Sequence, residues 1–277
     1  MKTDNTLSQQ GILSYLPKSE KEKMSKCLYI YDCLESTNST AKEMALSGAE
    51  HGTVVIADSQ TAGKGTRGKT FFSPPNHGLY MSFILRPEQK QIYPDTAKQI
   101  TTSAAAAVCR AIESITDKTP KVKRINDIFL ADKKICGILT ESVNSLENKA
   151  QIILGIGINI TDPPSGFPPE IQSTAGSLFG TTKPTITRNC LTAELINRIL
   201  FTDDLYDEKM MLSKYKERMF MLGKTITFNE TENSYEATAL DVDDIGRLVV
   251  KTFDNNLMHL STGEVSIKTL TNEGCVK

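Results

Sequence analysis

The sequence predicts an α+β fold that ends in a small all-β module. Three observations carry this expectation. Between residues 27 and 222, β-rich runs alternate with segments whose apolar residues recur every three or four positions. From Gly223 the chain changes to short β-like runs separated by Asp, Gly and Asn turns. A length of 277 residues is enough for one large domain and one small one. The expected units are a leader (1–26), a main domain (27–222) and a terminal module (223–277).

After the polar leader, "CLYIYDCL" (27–34) is rich in β-formers and reads as a strand. "ESTNSTAKEMALSGA" (35–49) offers Ser and Thr as caps, with Ala, Met and Leu at helical spacing, and ends near Gly48. "GTVVIAD" (52–58) and "GLYMSFILR" (78–86) are buried-strand signals. Ala97, Ile100, Ala104, Val108, Ile112 and Ile115 mark an amphipathic helix over 96–116. "KVKRINDIFLADKKICGILTESV" (121–143) reads as strand, tight polar turn at 131–134, strand. "AQIILGIGINI" (150–160) is a further buried strand, followed by a loop rich in Pro, Gly and Ser over 162–185 and a helical region over 188–222. "KTITFN", "SYEATALDV", "GRLVVKT", "LMHLS" and "EVSIKTL" then suit a small β-barrel. No internal repeat is present.

Composition narrows the function classes. The hydrophobic fraction of 39% and charged fraction of 23% are ordinary for a globular chain. A formal net charge of −1 gives no support to general nucleic-acid or acidic-membrane binding, so any basic site is local. Cys27, Cys33, Cys109, Cys136, Cys190 and Cys275 are scattered without a C-x-x-C pair, which points to reduced, mostly buried thiols. Three histidines (His51, His77, His259) form no zinc-binding spacing. No signal peptide and no run near about 18 apolar residues is found, so the expected location is cytoplasmic.

"GKGTRGKT" (63–70) satisfies the phosphate-loop pattern G-x-x-x-x-G-K-[ST] letter for letter. A phosphate loop also needs a helix opening at its Gly-Lys-Thr, because the helix N-terminus holds the phosphate. Pro74 and Pro75 follow about one turn later, where they remove amide donors and block a helix. The pattern is therefore expected to fail in context. What remains is a glycine-rich segment with Lys64, Arg67 and Lys69, backed by Phe71 and Phe72, that brings backbone amides and cations to an anionic ligand. A solvated, charged hairpin tip is the other reading of the same residues.

On four ordered motifs the chain resembles the biotin protein ligases in their short form. "QTAGKGTRGKTFFSP" (60–74) is similar to the family's biotinyl-adenylate loop, and "KRIND" followed by "KKICGILTE" is similar to its second signature. "STN" (36–38), "GIGIN" (155–159) and a terminal barrel carrying "GEVS" (263–266) fall in matching order, so the resemblance runs from about residue 27 to 270. It implies a mixed-sheet catalytic domain of the class II synthetase-like, biotin–lipoate ligase fold, with an SH3-like barrel after it. It also implies a two-step reaction. Biotin's carboxylate attacks the α-phosphate of ATP to give biotinyl-5′-AMP and pyrophosphate; a lysine of a biotin carboxyl carrier protein then takes the acyl group and releases AMP.

By that resemblance Lys123 bridges the biotin carboxylate and the α-phosphate, with Lys64 and Arg67 as further catalytic cations. Two like unit charges at 4 Å cost about 1 kcal/mol in water and about 4 at an effective dielectric near 20, so fixed cations are needed. Ser36, Thr37, Asn38 and Gln60 are assigned to biotin together with Lys64, Gly65, Thr66 and Lys123. Gly63, Gly65, Gly68, Lys69, Phe71, Asn126, Gly155, Gly157 and Asn159 are assigned to ATP and the adenylate. Mg²⁺ is implied on the phosphates, with its ligands unassigned. The same residues have plainer readings: Ser36 to Asn38 as helix caps, Lys123 as a solvent-facing lysine alternating with Lys121, and the glycines as close packing of a buried strand. The loop is expected to close over the adenylate and exclude water.

Departures from the family pattern bear on detail. Lys64 and Thr66 stand where arginines are usual, and Arg124 and Ile125 replace Trp-Pro. With no tryptophan in the chain, Phe71 or Phe72 must supply the loop's aromatic wall. About 26 residues precede the first strand, so neither a DNA-binding winged helix nor a repressor function is expected. Homodimerisation through a sheet edge is compatible with the resemblance. The rival readings are a lipoate ligase or octanoyl transferase of the same fold, a non-catalytic biotin sensor and, more distantly, a phosphate-loop nucleotidase.

Overall fold

Two largely buried strands, β3 (Gly78–Leu85) and β7 (Ala150–Asn159), form the middle of a seven-stranded sheet. The computed structural model describes residues 6–86, 94–123, 125–144, 150–202, 207–230, 233–260 and 265–267. With β1 (Leu28–Leu34), β2 (Val54–Gln60), β4 (Lys121–Lys123), β5 (Asp127–Leu130) and β6 (Lys133–Asn144), the sheet order is β1-β2-β3-β7-β6-β5-β4. Only β1 and β2 run parallel; every other pair is antiparallel, so the sheet is mixed as expected.

Period-two alternation divides the sheet into two faces. Leu79, Met81 and Phe83 of β3 join Leu154, Ile156 and Ile158 of β7 in the main core, against Ala104, Val108 and Ile112 of α4 (Pro94–Ile115). Leucines 191 and 195 of α6 (Arg188–Ile196) complete that layer. The opposite face has a smaller core, where Ala41 and Ala45 of α3 (Thr37–Leu46) meet Val55, Ile84, Val143 and Ile153. The rest of that face is open and forms the floor of the site. Burying one large aliphatic side chain contributes about 1.5–3 kcal/mol. An exposed pair such as Lys26–Glu22 contributes about 0–1, so packing of the two faces dominates the frame.

The leader, for which sequence patterning predicts no element, is folded where it is described. It folds into α1 (Gln9–Tyr15) and α2 (Lys18–Cys27), and Leu7, Ile12, Leu16 and Met24 are buried in the main core. The single strand expected over 121–130 is two strands, β4 and β5, hydrogen-bonded to each other as a hairpin. Asn126 closes the connection: its Nδ2 donates to the Ile138 carbonyl at 3.0 Å, and the Ile138 amide donates back to the Asn126 carbonyl at 2.9 Å. The next turn is tighter than 131–134. Ala131 (φ 47°) and Asp132 (φ 61°) alone make it, with both positive φ values that a two-residue hairpin turn demands.

The 162–185 loop contains one short turn of helix, α5 (Pro169–Gln172). The helical region after it divides into α6, a π-helical turn (Asn197–Phe201) and α7 (Glu208–Arg218). Beyond it β8 (Thr225–Glu230), β9 (Asn233–Val242), β10 (Leu248–Thr252), β11 (Leu257–Leu260) and β12 (Val265–Ile267) form an antiparallel sheet ordered β11-β10-β9-β8-β12. Arg124, Cys275 and part of the "GEVS" motif lie outside the described residues. Among the described residues no helix is long and apolar enough to cross a membrane.

Candidate active site

The floor of the site is built by two glycines of β7. In one cross-strand row Ser82 pairs with Gly155 and Gly155 with Leu139; in the next, Tyr80 pairs with Gly157 and Gly157 with Gly137. Each row lacks a side chain at its centre, and another residue lies in the slot. A Cβ on Gly155 would collide with the Asn38 carboxamide. A Cβ on Gly157 would stand 2.7 Å from the Phe71 ring, and one on Gly137 3.2 Å from it. Phe71 also meets Tyr80 edge-on, with centroids 6.3 Å apart. The glycine alternation in "GIGIN" thus admits one polar and one aromatic side chain to the sheet surface.

The N-terminus of α3 forms one wall. Ser36 occupies the cap position, yet its hydroxyl makes no capping bond. The Thr37 amide donates instead to Gln60 Oε1 at 2.8 Å, so β2 caps the helix. Gln60 Nε2 donates to Ser73 Oγ at 2.8 Å, and Ser73 Oγ to the Phe71 carbonyl at 2.9 Å. Asn38 Nδ2 donates to Glu141 Oε2 at 2.7 Å, while Ser82 Oγ donates to Asn38 Oδ1 at 2.6 Å. Ser36, Thr37, Asn38 and Ser82 are all buried. A neutral, dipolar end is therefore held in fixed orientation.

The basic loop is a small folded hairpin above this floor. Phe71 donates its amide to the Gly63 carbonyl at 2.8 Å, Lys64 pairs with Thr70, and the Gly65 amide donates to Lys69 at 2.7 Å. A 3-10 turn (Thr66–Gly68) makes the tip, with Arg67 at φ 57° and Gly68 at φ 73°. No helix opens at Lys69–Thr70; the chain leaves the tip extended and enters β3, so the phosphate-loop geometry is absent. Phe72 packs edge-on against Phe167 of the 162–185 loop, with centroids 6.4 Å apart, and joins the two loops across the site.

The floor, wall and loops enclose a cavity of about 800 Å³, inside the range for small-molecule sites. Of the residues singled out from sequence, Ser36, Thr37, Asn38, Gln60, Lys64 and Gly65 line it at one end. Thr66, Arg67, Lys69, Phe71, Lys123 and Asn126 line it as well, as do Gly155, Gly157 and Asn159. Gly63 and Gly68 do not. Gly63 is buried beneath the loop against Ser73 and Gln60, and Gly68 serves the positive φ of the tip. Asn159 is tied to the 162–185 loop, its Nδ2 donating to the Gly176 carbonyl at 2.9 Å.

Lys123 is half-buried at the end of β4, its ammonium 5.6 Å from the centroid of Phe129. Among the described residues no carboxylate pairs with it. The nearby Lys134 differs, since it is ion-paired with Asp127 at 2.7 Å. A cation without a carboxylate partner inside a cavity favours an anionic ligand there. Sequence reasoning missed Tyr80, Asp127, Phe129, Lys134 and Phe167, all of which line the cavity. Tyr80 had no signal because a buried strand tyrosine reads as core. Burial pushes its phenol well up, with Arg188 opposing and Asp58 reinforcing, and its hydroxyl donates to the Pro74 carbonyl at 3.0 Å.

The chain matches the Biotin/lipoate A/B protein ligase family over residues 30–159 and the Biotin protein ligase C terminal domain over 221–268. It is 33% identical over 241 residues to the bifunctional ligase/repressor BirA of Bacillus subtilis, covering 83% of this chain and 71% of that protein. It is 25% identical over 238 residues to the biotin--[acetyl-CoA-carboxylase] ligase of Mycobacterium tuberculosis, covering 83% and 85%. Among solved structures, the biotin protein ligase from Aquifex aeolicus in complex with biotin and ATP superposes with a TM-score of 0.73 at 26% identity. That likeness covers 88% of this chain and 99% of the other.

Proposed function

The chain belongs to the biotin protein ligase family, and on that premise we propose how its cavity joins biotin to a carrier protein. The activity is ATP-dependent biotin–protein ligation. The match over 30–159 alone spans both biotin and lipoate enzymes. The terminal module, whose match is to biotin protein ligases, favours biotin over lipoate or octanoate.

One observation carries the mechanistic reading: a single cavity unites an oriented neutral hydrogen-bonding end with an ammonium that has no carboxylate partner among the described residues. Biotin is a neutral bicyclic urea on an aliphatic tail that ends in a carboxylate. Its urea suits the Thr37–Gln60 end, and its carboxylate suits Lys123. The adenylate moiety suits the Phe71 side, where an aromatic ring packs over Gly157 and Gly137 and lines the cavity. In the first step a carboxylate oxygen forms a bond to the α-phosphorus, and the bond to the pyrophosphate oxygen breaks. Lys123 offsets the repulsion between the two anions, and Lys64 and Arg67 add positive potential from the loop. In the second step the acceptor amine bonds to the acyl carbon, AMP leaves with the phosphate oxygen, and the amine's proton passes to solvent.

Mg²⁺ enters this reading as the ion carried on the nucleotide phosphates. Among the described residues no group of three or more His, Cys, Asp or Glu could cage a metal, and a phosphate-borne ion needs none. The acceptor is a biotin carboxyl carrier domain, supported by the name of the mycobacterial relative. A cytoplasmic location is supported by five free cysteines among the described residues.

The test is pyrophosphate exchange into ATP with added biotin, lipoate or octanoate. Exchange driven by biotin supports the reading. Exchange with lipoate alone, or biotin binding with no exchange, overturns it.

A further inference from the structure

Behind the biotin wall lies a chain of polar groups whose far members do not reach the cavity surface. Glu141 sits on β6 and Ser82 on β3, and neither lines the cavity. Asn38 spans the gap between them over Gly155. Its amide nitrogen faces two groups that can only accept, the Glu141 carboxylate at 2.7 Å and the Leu139 carbonyl at 3.5 Å. The carboxamide therefore cannot flip, and its oxygen must face Ser82 at 2.6 Å. Ser82 has one hydroxyl hydrogen, and Asn38 Oδ1 takes it.

The consequence passes to Thr37. Its hydroxyl is 2.8 Å from Ser82 Oγ and 3.2 Å from Gln60 Oε1. With the Ser82 hydrogen committed, both neighbours are acceptors, so the single Thr37 hydrogen stays inside the protein. Thr37 Oγ1 can then offer the cavity nothing but lone pairs. A ligand meets it well only by donating an N–H.

We propose that Glu141, acting through Asn38 and Ser82, is a positioning and specificity-determining residue that fixes Thr37 as an acceptor for a ureido N–H. This deepens the ligase reading and rests on it. Among vitamin-like acyl tails, a cyclic urea supplies such a donor and a dithiolane or alkyl chain does not. A site built to pair a donor rejects analogues that lack it far better than a merely greasy pocket does.

The test uses the full chain in biotin-dependent pyrophosphate exchange. Substrates are biotin and its two cyclic carbamate analogues, each with one ureido N–H replaced by oxygen. Wild type is expected to show KM for one carbamate at least about tenfold above that for biotin, as loss of one well-oriented pairing implies. In Glu141→Ala and, separately, Ser82→Ala, KM for biotin is expected to rise about tenfold, with KM for ATP moving less than about twofold. The carbamate penalty should shrink to below about threefold, because only the 3.2 Å contact to Gln60 Oε1 then holds the Thr37 hydrogen inside the protein. Unchanged biotin KM in both variants overturns the proposal, as does a carbamate penalty that persists at its wild-type size. Absence of biotin-dependent exchange in the wild-type chain is a separate outcome that sinks the ligase reading itself.

Discussion

Asn38 lies across Gly155, its carboxamide filling the space that any larger residue at 155 would claim. Two residues along the same strand, the ring of Phe71 uses Gly157 in the same way. The two slots serve different ends of the cavity, which makes them separable.

Gly155→Ala should displace Asn38 and raise KM for biotin, whereas Gly157→Ala should displace Phe71 and raise KM for ATP. Forcing a methyl group into a packed contact costs about 1–3 kcal/mol, or roughly 5- to 150-fold if the loss falls on binding. Steady-state exchange kinetics with each substrate varied in turn check this. Equal effects of both variants on both substrates would show that the slots do not divide the site.

Lys123 carries the sharpest expectation about rate. Its ammonium has no carboxylate partner among the described residues, so its charge is available to the reacting anions. Lys123→Gln keeps a polar, unbranched stem one atom shorter and removes the charge. Loss of a preorganised electrostatic group costs about 10²–10³ in kcat. Single-turnover adenylate formation measures this directly, and a rate within twofold of wild type would remove Lys123 from the mechanism.

Thr66 lines the cavity from the exposed loop tip. Arginine there would add a planar cationic fork toward the adenylate phosphate. Thr66→Arg is expected to slow release of biotinyl-5′-AMP about fivefold, less than the full value of a charge-assisted bond because the tip is solvated. Rapid filtration of the preloaded enzyme gives the off-rate, and equal rates would show that residue 66 does not retain the intermediate.

Much of the frame was legible because periodicity reports burial directly. β3, β7 and α4 stand close to where their apolar spacing put them. The break within 121–130 was hard to read because the turn at 125–126 contains no Gly or Pro and only Asn126 and Asp127 hint at it between β-forming residues. The packing of residues 6–26 was not legible because Ile12, Leu16 and Met24 are sparse among polar residues, and α1 is buried by α6 alongside. At the site, glycine-rich and cationic residues were readable through the resemblance. Glu141 and Ser82 were not, since their role exists only once three strands bring them to opposite ends of Asn38.

The buried thiols make the fold sensitive to alkali. Cys109 is fully buried in the core behind the sheet, and that burial pushes its pKa up to about 12; the Arg218 guanidinium opposes the shift and Glu113 reinforces it. Cys136, equally buried, is held well above the ordinary thiol value by burial, with Cys109 adding to the shift. A group whose folded pKa is raised keeps its proton in the native state after the unfolded chain has lost it. Unfolding then releases protons, so stability is fully present below about pH 9 and declines from there toward about 12. Each thiol contributes up to about 1.4 kcal/mol per pH unit across that window. Replacing both with alanine should lower stability by a constant amount through lost packing, yet flatten its fall above about pH 9. Urea midpoints for wild type and the Cys109→Ala/Cys136→Ala variant, taken from about pH 8 to 10.5, separate these effects because lysine and tyrosine titrations are common to both. Parallel curves would mean that the thiols ionise as freely in the fold as outside it.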